Sequence, residues 1–288
     1  MQGQPLLTVE NISYNYPDHT RAMEEVSLTI QRGEFFFVLG ANGSGKTTLL
    51  KIINGLLKPS SGQVLFEGKA LSSLDRNLLF SRICTVFQDP NDQLFTPTVE
   101  QDISYGPCNQ GLSEAEVRRR VRQALELVDM APLAQKPIHA LSYGQKKRIC
   151  LAGVLAMQPE VIILDEPTSG LDPMGVSAMM KLVKKLNQEE GITMIMATHM
   201  VDLVPLFISR LAILRRGRIL RVGTPEDIFH DADMVREAKL RLPRIAHLLE
   251  ILKKEDHLDL EKIPLTIGEA RRALVKLMPR RWPEHDDI

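Results

Sequence analysis

GANGSGKT at residues 40–47 and VIILDE at residues 161–166 decide how this chain folds. The first stretch follows an apolar run, FFFVL (Phe35–Leu39), and leads into KTTLLKIINGLL, whose apolar positions recur at helical spacing. Gly40, Gly43 and Gly45 carry no Cβ, so the backbone can curl tightly and its N–H groups can approach phosphate oxygens. A loop between a strand and a helix N-terminus suits anions, because the free N–H groups and the helix dipole both favour negative charge. Ala41, Asn42 and Ser44 complete the cradle; Lys46 is placed to reach the β- and γ-phosphates, Thr47 offers a hydroxyl to magnesium, and Thr48 can touch the α-phosphate. The second stretch is apolar enough for a strand covered on both faces of a parallel sheet. Its two carboxylates fall at the strand's C-terminal end, where open α/β sheets put their sites. Asp165 is suited to hold magnesium through a water, and Glu166 to polarise an attacking water. Together the two stretches predict a site that binds a nucleoside triphosphate with magnesium and hydrolyses it.

The bulk properties narrow the class. A chain of 288 residues with 44% apolar content can form a sizeable core, as one large domain or a domain plus an extension. Lys and Arg total 36 and so do Asp and Glu, which gives no support for nucleic acid or anionic lipid as a general partner. No segment approaches an unbroken apolar run long enough to span a membrane. MQGQPLLTVE has no basic region followed by an apolar stretch, so no secretory signal is expected. Cys84, Cys108 and Cys150 lack metal-ligand spacing and read as reduced thiols, and the histidines show no ligand pairing.

Along the chain, Leu7, Val9 and Ile12 and then Val26, Leu28 and Ile30 alternate as strands do, with Pro17 and Asp18 in the turn. Short strands are predicted at residues 63–66 and 83–87, the latter ended by Gln88. From residue 92 to 157 the character is helical: Ser113 with Glu116 three residues on has a capping-box pattern, followed by Val117, Val121, Leu125 and Val128. Strands return at 161–164, 193–197 and 211–214, and the helix MMKLVKKLNQEE stops at Gly191. Residues 225–288 read as charged helices broken by Pro243, Pro264 and Pro279. The apolar positions Leu242, Ile245, Leu248, Leu249 and Leu252 form a face that needs a partner.

LSYGQ at residues 141–145 completes an ordered series: phosphate loop, Gln88, LSYGQ, VIILDE, Ser169-Gly170-Leu171-Asp172, His199. Over residues 5–225 this series resembles the ATPase subunit of ABC transporters. The resemblance implies an α/β, P-loop NTPase fold: a RecA-like mixed sheet with N-terminal antiparallel strands (residues 1–91 and 158–225), an inserted helical subdomain (92–157), and a small, mainly helical C-terminal extension (226–288) that adds dimer contacts. It implies a head-to-tail homodimer in which each ATP lies between the phosphate loop of one subunit and the LSYGQ segment of the other. Ser142, Gly144 and Gln145 would then meet the partner's nucleotide at a helix N-terminus, with Tyr143 departing from the more usual glycine. Asp172 would bridge the subunits. Gln88 would touch magnesium or the lytic water and report nucleotide state to a membrane partner. His199 would contact the γ-phosphate and orient Glu166. Tyr16 matches the aromatic that stacks on adenine, with Tyr14 as the competitor.

A finer resemblance is carried by FQDPNDQLFTPTVEQDISYGP (87–107), which is similar to the corresponding region of energy-coupling-factor ATPases. AGVLAMQPE (152–160) and LRLPRIAHLLEIL (240–252) resemble the cobalt/nickel branch. That branch implies an importer motor lying peripherally on the cytoplasmic face of the cell membrane. Its partners would be a transmembrane coupling subunit, gripped by the helical insert, and small metal-capturing membrane subunits. Cobalt is the expected cargo, with nickel or a vitamin as alternatives. A soluble ABC ATPase acting on nucleic acid or the ribosome is the rival reading. It is disfavoured because such proteins carry two cassettes, long coiled coils or basic stripes, so no nucleic-acid partner is expected.

Overall fold

The computed structural model describes residues 5–207 and 210–277; Pro279 and the end of the C-terminal extension lie outside them. The N-terminal alternation forms a hairpin. β1 (Leu7–Asn15) and β2 (Arg21–Ile30) pair antiparallel, with Leu7 opposite Ile30 and Val9 opposite Leu28. The chain then runs through β3 (Phe35–Leu39) and α1 (Lys46–Ile53) to β4 (Ser61–Phe66) and β5 (Lys69–Ala70). β4 and β5 join the hairpin in a sheet of order β2-β1-β4-β5.

α2 (Arg76–Arg82) leads into β6 (Ile83–Val86), which stops one residue earlier than the sequence suggests. Three helices follow before the sheet resumes: α3 (Val99–Asn109), α4 (Glu114–Leu127) and α5 (Tyr143–Ala156). Next come β7 (Val161–Asp165), α6 (Pro173–Glu189), β8 (Thr193–Thr198), α7 (Val204–Phe207), β9 (Arg210–Arg215) and β10 (Arg218–Gly223). The second sheet has the order β10-β9-β3-β8-β7-β6, parallel except for the edge strand β10, which the sequence did not announce. α8 (Pro225–Phe229), α9 (Ala232–Glu237), α10 (Arg244–Lys254) and α11 (Ile267–Leu277) close the described chain.

The parallel strands are buried on both faces, as their unbroken apolar runs require. Alternate residues therefore feed two cores. Phe36, Val38, Ile163 and Ile195 face α1 and the antiparallel sheet. Phe35, Phe37, Leu164 and Met196 face α5, α6 and the inserted helices. Burial of each such side chain contributes on the order of 1.5–3 kcal/mol. Val117, Val121, Leu125 and Val128 are all in the second core, as their spacing predicts. The capping box at Ser113 forms only in part: Ser113 Oγ accepts from the Glu116 N–H, but the Glu116 carboxylate pairs with Arg119 and Arg120 instead. Two arginines within a turn outcompete one backbone donor for that carboxylate.

The helices after residue 225 begin inside the second core, to which Ile228, Phe229, Val235 and Leu242 belong. The apolar face of α10 finds most of the partner it needs within the chain. Leu249 packs with Leu260 and Ala270 of α11, and Ile245 and Leu252 lie against them. Leu248 stays 51% exposed. Leu249→Ala should therefore destabilise the protein by about 2–4 kcal/mol and Leu248→Ala by less than about 1 kcal/mol in thermal or denaturant unfolding. Equal losses would mean that a second copy, not α11, covers this face.

Candidate active site

The phosphate loop owes its shape to glycine at two places. Gly45 sits at φ 106°, left-handed backbone that side chains rarely adopt, and it opens α1 with no side chain capping the helix. A Cβ on Gly40 would lie 2.3 Å from Ser44 Oγ and 2.6 Å from the Leu214 carbonyl, so nothing larger fits. The first turn of α1 is thus left open toward the loop, with its dipole positive there. Lys46, the first residue of α1, is 7% exposed; its Nζ donates to the carbonyls of Gly40 (2.8 Å) and Ala41 (3.4 Å).

β7 brings its carboxylates to the same place. Thr47 Oγ1 donates to Asp165 Oδ2 at 2.7 Å. Burial pushes the Asp165 pKa above the ordinary aspartate range, and the Thr47 hydrogen bond works in the opposite direction. Glu166 departs from the strand with φ 46°, an unusual conformation for a residue with a side chain. Its N–H donates to the Ala197 carbonyl of β8 at 3.0 Å. Glu166 Oε1 lies 3.3 Å from Lys46 Nζ and 3.0 Å from His199 Nδ1. Asp165 Oδ1, Glu166 Oε2 and Ser44 Oγ are buried without a hydrogen-bond partner among the described residues. Such atoms are rare in folded proteins, and the two carboxylate oxygens belong to neighbouring residues that line one cleft, where a polar ligand can meet them.

A cleft of about 750 Å³ opens here. Tyr16, Asn42, Gly43, Gly45, Lys46, Thr47, Thr48, Gln88, Asp165, Glu166 and His199 line it, so the structure gathers most of the sequence-predicted residues. Tyr16 Oη and Thr48 Oγ1 are hydrogen-bonded at 2.8 Å, whereas Tyr14 packs against the neighbouring core and meets Tyr16 edge-on. Gly40, Ala41 and Ser44 of the loop, and Ser142, Gly144, Gln145 and Asp172, are not among the lining residues. Ser142 caps α5 through a reciprocal capping box with Gln145, and Asp172 caps α6 by accepting from the Gly175 N–H.

Sequence reasoning did not single out several contributors. Arg21 lines the cleft from β2. Arg216 and Gly217 turn the β9–β10 hairpin over the loop, where the Gly217 N–H donates to the Ser44 carbonyl at 2.9 Å. Lys147 Nζ donates to the Glu166 carbonyl at 3.2 Å. The hairpin could be suspected only from the Arg-Gly pair at 216–217; Lys147 carried no signal beyond its place in α5.

Comparison with known proteins identifies the family. The sequence profile described as ABC transporter matches residues 23–169. The energy-coupling factor transporter ATP-binding protein EcfA of Methanococcus maripaludis is 51% identical over 268 residues, covering 92% of this chain and 96% of its own length. The structure of cbiO1 from Clostridium perfringens, described as part of the ABC transporter complex cbiONQ, is 47% identical with a TM-score of 0.75, covering 86% of this chain and all (100%) of that one. A dimeric ATP-binding cassette, MJ0796, in a post-hydrolysis state with ADP and Pi, is 30% identical with a TM-score of 0.69, covering 76% of this chain and 98% of that one. The phosphate loop, the paired carboxylates of β7 and these similarities agree: this chain is an ATPase of the ABC transporter family and belongs to its energy-coupling-factor ATP-binding subunits.

Proposed function

We propose that this chain is the motor of an importer for a transition-metal ion, cobalt first, working as a head-to-tail homodimer on the cytoplasmic face of the membrane. The observation that carries the site assignment is the convergence of Lys46, His199 and the partnerless oxygens of Asp165 and Glu166 on one cleft. Thr47, Asp165 and Gln88 fit a hard divalent cation, since the donor set is oxygen and one Asp165 oxygen has no other partner. Magnesium, when bound there, neutralises charge on the phosphates.

Glu166 acts as general base. Lys46 and His199 hold its Oε1, which leaves Oε2 to accept a proton from the attacking water. Lys46 and the open first turn of α1 meet the β- and γ-phosphates, and Asn42 and Gly43 wrap them. Tyr16 stacks on the adenine from the rim of the cleft. Ser142, Gly144, Gln145 and Asp172 stand outside the cleft of their own chain, which supports their serving the nucleotide of a partner. The similarity to a dimeric cassette bound to ADP and Pi supports the same arrangement.

ATP favours the closed dimer because its γ-phosphate then touches both subunits, and hydrolysis removes that differential affinity. A transmembrane coupling subunit receives the movement through the Gln88 region and the inserted helices, and small membrane subunits capture the metal. The likeness to cbiO1, described as part of a cbiONQ transporter complex, supports a membrane assembly. The resemblance of residues 152–160 and 240–252 to the cobalt/nickel branch supports a metal cargo.

Glu166→Gln should lower steady-state hydrolysis by about 100-fold or more while ATP binding persists, with ATP-bound dimer accumulating in size-exclusion chromatography. Rapid turnover by this variant would remove Glu166 as the base. Burial raises the proton affinity of Asp165 above its unfolded value. Its ionised form therefore costs stability above the raised pKa, and that cost vanishes below the unfolded one. Asp165→Asn should accordingly raise the unfolding temperature without nucleotide at neutral pH, with the difference shrinking on acidification, while the magnesium-dependent stabilisation by ATP is lost. Co-purification from solubilised membranes, with cellular metal compared between wild type and Lys46→Ala, tests the transport reading. An integral-membrane partner and a fall in cellular cobalt are expected. A fall in nickel, or in a vitamin, renames the cargo, and purely soluble partners with unchanged metal reject the importer.

A further inference from the structure

Lys147 is a lysine with 3% exposure inside a helix, a place lysine rarely occupies without a partner. Its partner is the main chain of Glu166: Nζ donates to that carbonyl at 3.2 Å. The same carbonyl accepts from the Ser169 N–H at 3.0 Å, and the Glu166 N–H is bonded to the Ala197 carbonyl at 3.0 Å. The peptide groups on both sides of the Glu166 Cα are thus fixed, and the residue between them is held at φ 46°. A side chain on a backbone pinned at both ends has its direction set before its own contacts form. Among the described residues, Lys147 is the one side chain that donates to that backbone.

Tyr143, one helical turn earlier in α5, covers the lysine. Lys147 Nζ lies 5.4 Å from the centre of its ring. The ring also sits against Gly170, where a Cβ would come within 2.8 Å of Tyr143 Cε1. Gly170 belongs to the turn that follows Glu166 and precedes α6. Tyr143 and Lys147 therefore clasp both the carbonyl of Glu166 and the turn behind it. Burial lowers the proton affinity of Lys147, while Asp89, Glu166 and Asp165 pull in the opposite direction.

We infer that Lys147 is a positioning residue for hydrolysis: it fixes the left-handed backbone of Glu166, with Tyr143 shielding the contact, so that the carboxylate is aimed at the attacking water. This inference rests on Glu166 being the base, and the closing experiment separates the two. The position matters because the bond joins α5, a helix of the insert, to the end of a core strand, so a shift of α5 changes the aim of Glu166.

The test is steady-state ATP hydrolysis by the full chain with magnesium, alongside ATP affinity and unfolding temperature. Lys147→Met keeps the length of the stem and removes the donor. It should lower kcat on the order of tenfold, as expected for loss of a hydrogen bond to a charged group in a preorganised site, with KM for ATP unchanged. Lys147→Arg, which keeps a charged donor, should recover most of the loss. Lys147→Gln is shorter and uncharged, should show the same split between kcat and KM, and serves if the Met variant fails to fold. Wild-type kcat in the Met or Gln variant overturns the inference. So does a loss in which kcat, ATP affinity and stability fall together with no recovery by Arg, which would make Lys147 a packing residue. Full activity in Glu166→Gln would instead overturn the base itself, whatever Lys147 does.

Discussion

Two opposite charges held away from water shape everything around them. Lys46 Nζ and Glu166 Oε1 are 3.3 Å apart with both side chains 7% exposed. In a low-dielectric setting such a pair is strongly attractive, but each charge has also lost its hydration. The surrounding fold offsets that loss with polar neighbours. The Gly40 and Ala41 carbonyls serve the ammonium, and His199 serves the carboxylate. It does not finish the job, because Glu166 Oε2, Asp165 Oδ1 and Ser44 Oγ stay without partners among the described residues. A buried polar atom left unpaired costs roughly 1–3 kcal/mol. Carboxylate oxygens so placed call for a hydrogen-bond donor or a cation, which the binding site of an ATPase admits.

Rigidity at that point comes from the two cores. Because alternate residues of β3 and β7 enter opposite cores, neither strand can slip without turning a whole row of side chains into the wrong layer. The carboxylates at the end of β7 and the loop at the end of β3 are thereby held in register, with β8 between them. The insert is tied to this frame at its entry as well. Gln93 accepts from the Phe87 N–H and donates to the Cys150 carbonyl in α5, which anchors the main chain beside Gln88. Farther from the site, Glu160 receives Arg32 and Arg82, drawing together segments distant in sequence.

The sequence announced those parts whose chemistry admits few alternatives. FFFVL and VIILD are short apolar runs suited to strands covered on both faces, and the glycines between Gly40 and Gly45 are required by space and by φ. What escaped notice depends on contacts between distant segments. β10 is a polar edge strand whose residues alternate poorly, so its pairing with β9 left little pattern to read. The α10 stripe was legible as apolar, but its cover, α11, was not, because one amphipathic face says nothing about which other face meets it. The Glu116 carboxylate fitted a capping pattern, and only the geometry shows two arginines taking it.

The order of strands in the larger sheet also governs how the chain reaches its fold. β3 (Phe35–Leu39) has as its neighbours β8 (Thr193–Thr198) and β9 (Arg210–Arg215), both of which lie far toward the other end of the chain. During synthesis the five apolar residues of β3 leave the ribosome long before either neighbour exists. Closing so long a loop costs only slightly more entropy than closing a shorter one, but contacts of this separation form slowly. In that interval an apolar strand with two unpaired edges is open to the wrong partner. The antiparallel sheet is completed much earlier in the sequence and shares a core with Phe36 and Val38. It can therefore shelter one face of β3 while the chain that completes the sheet is still being made.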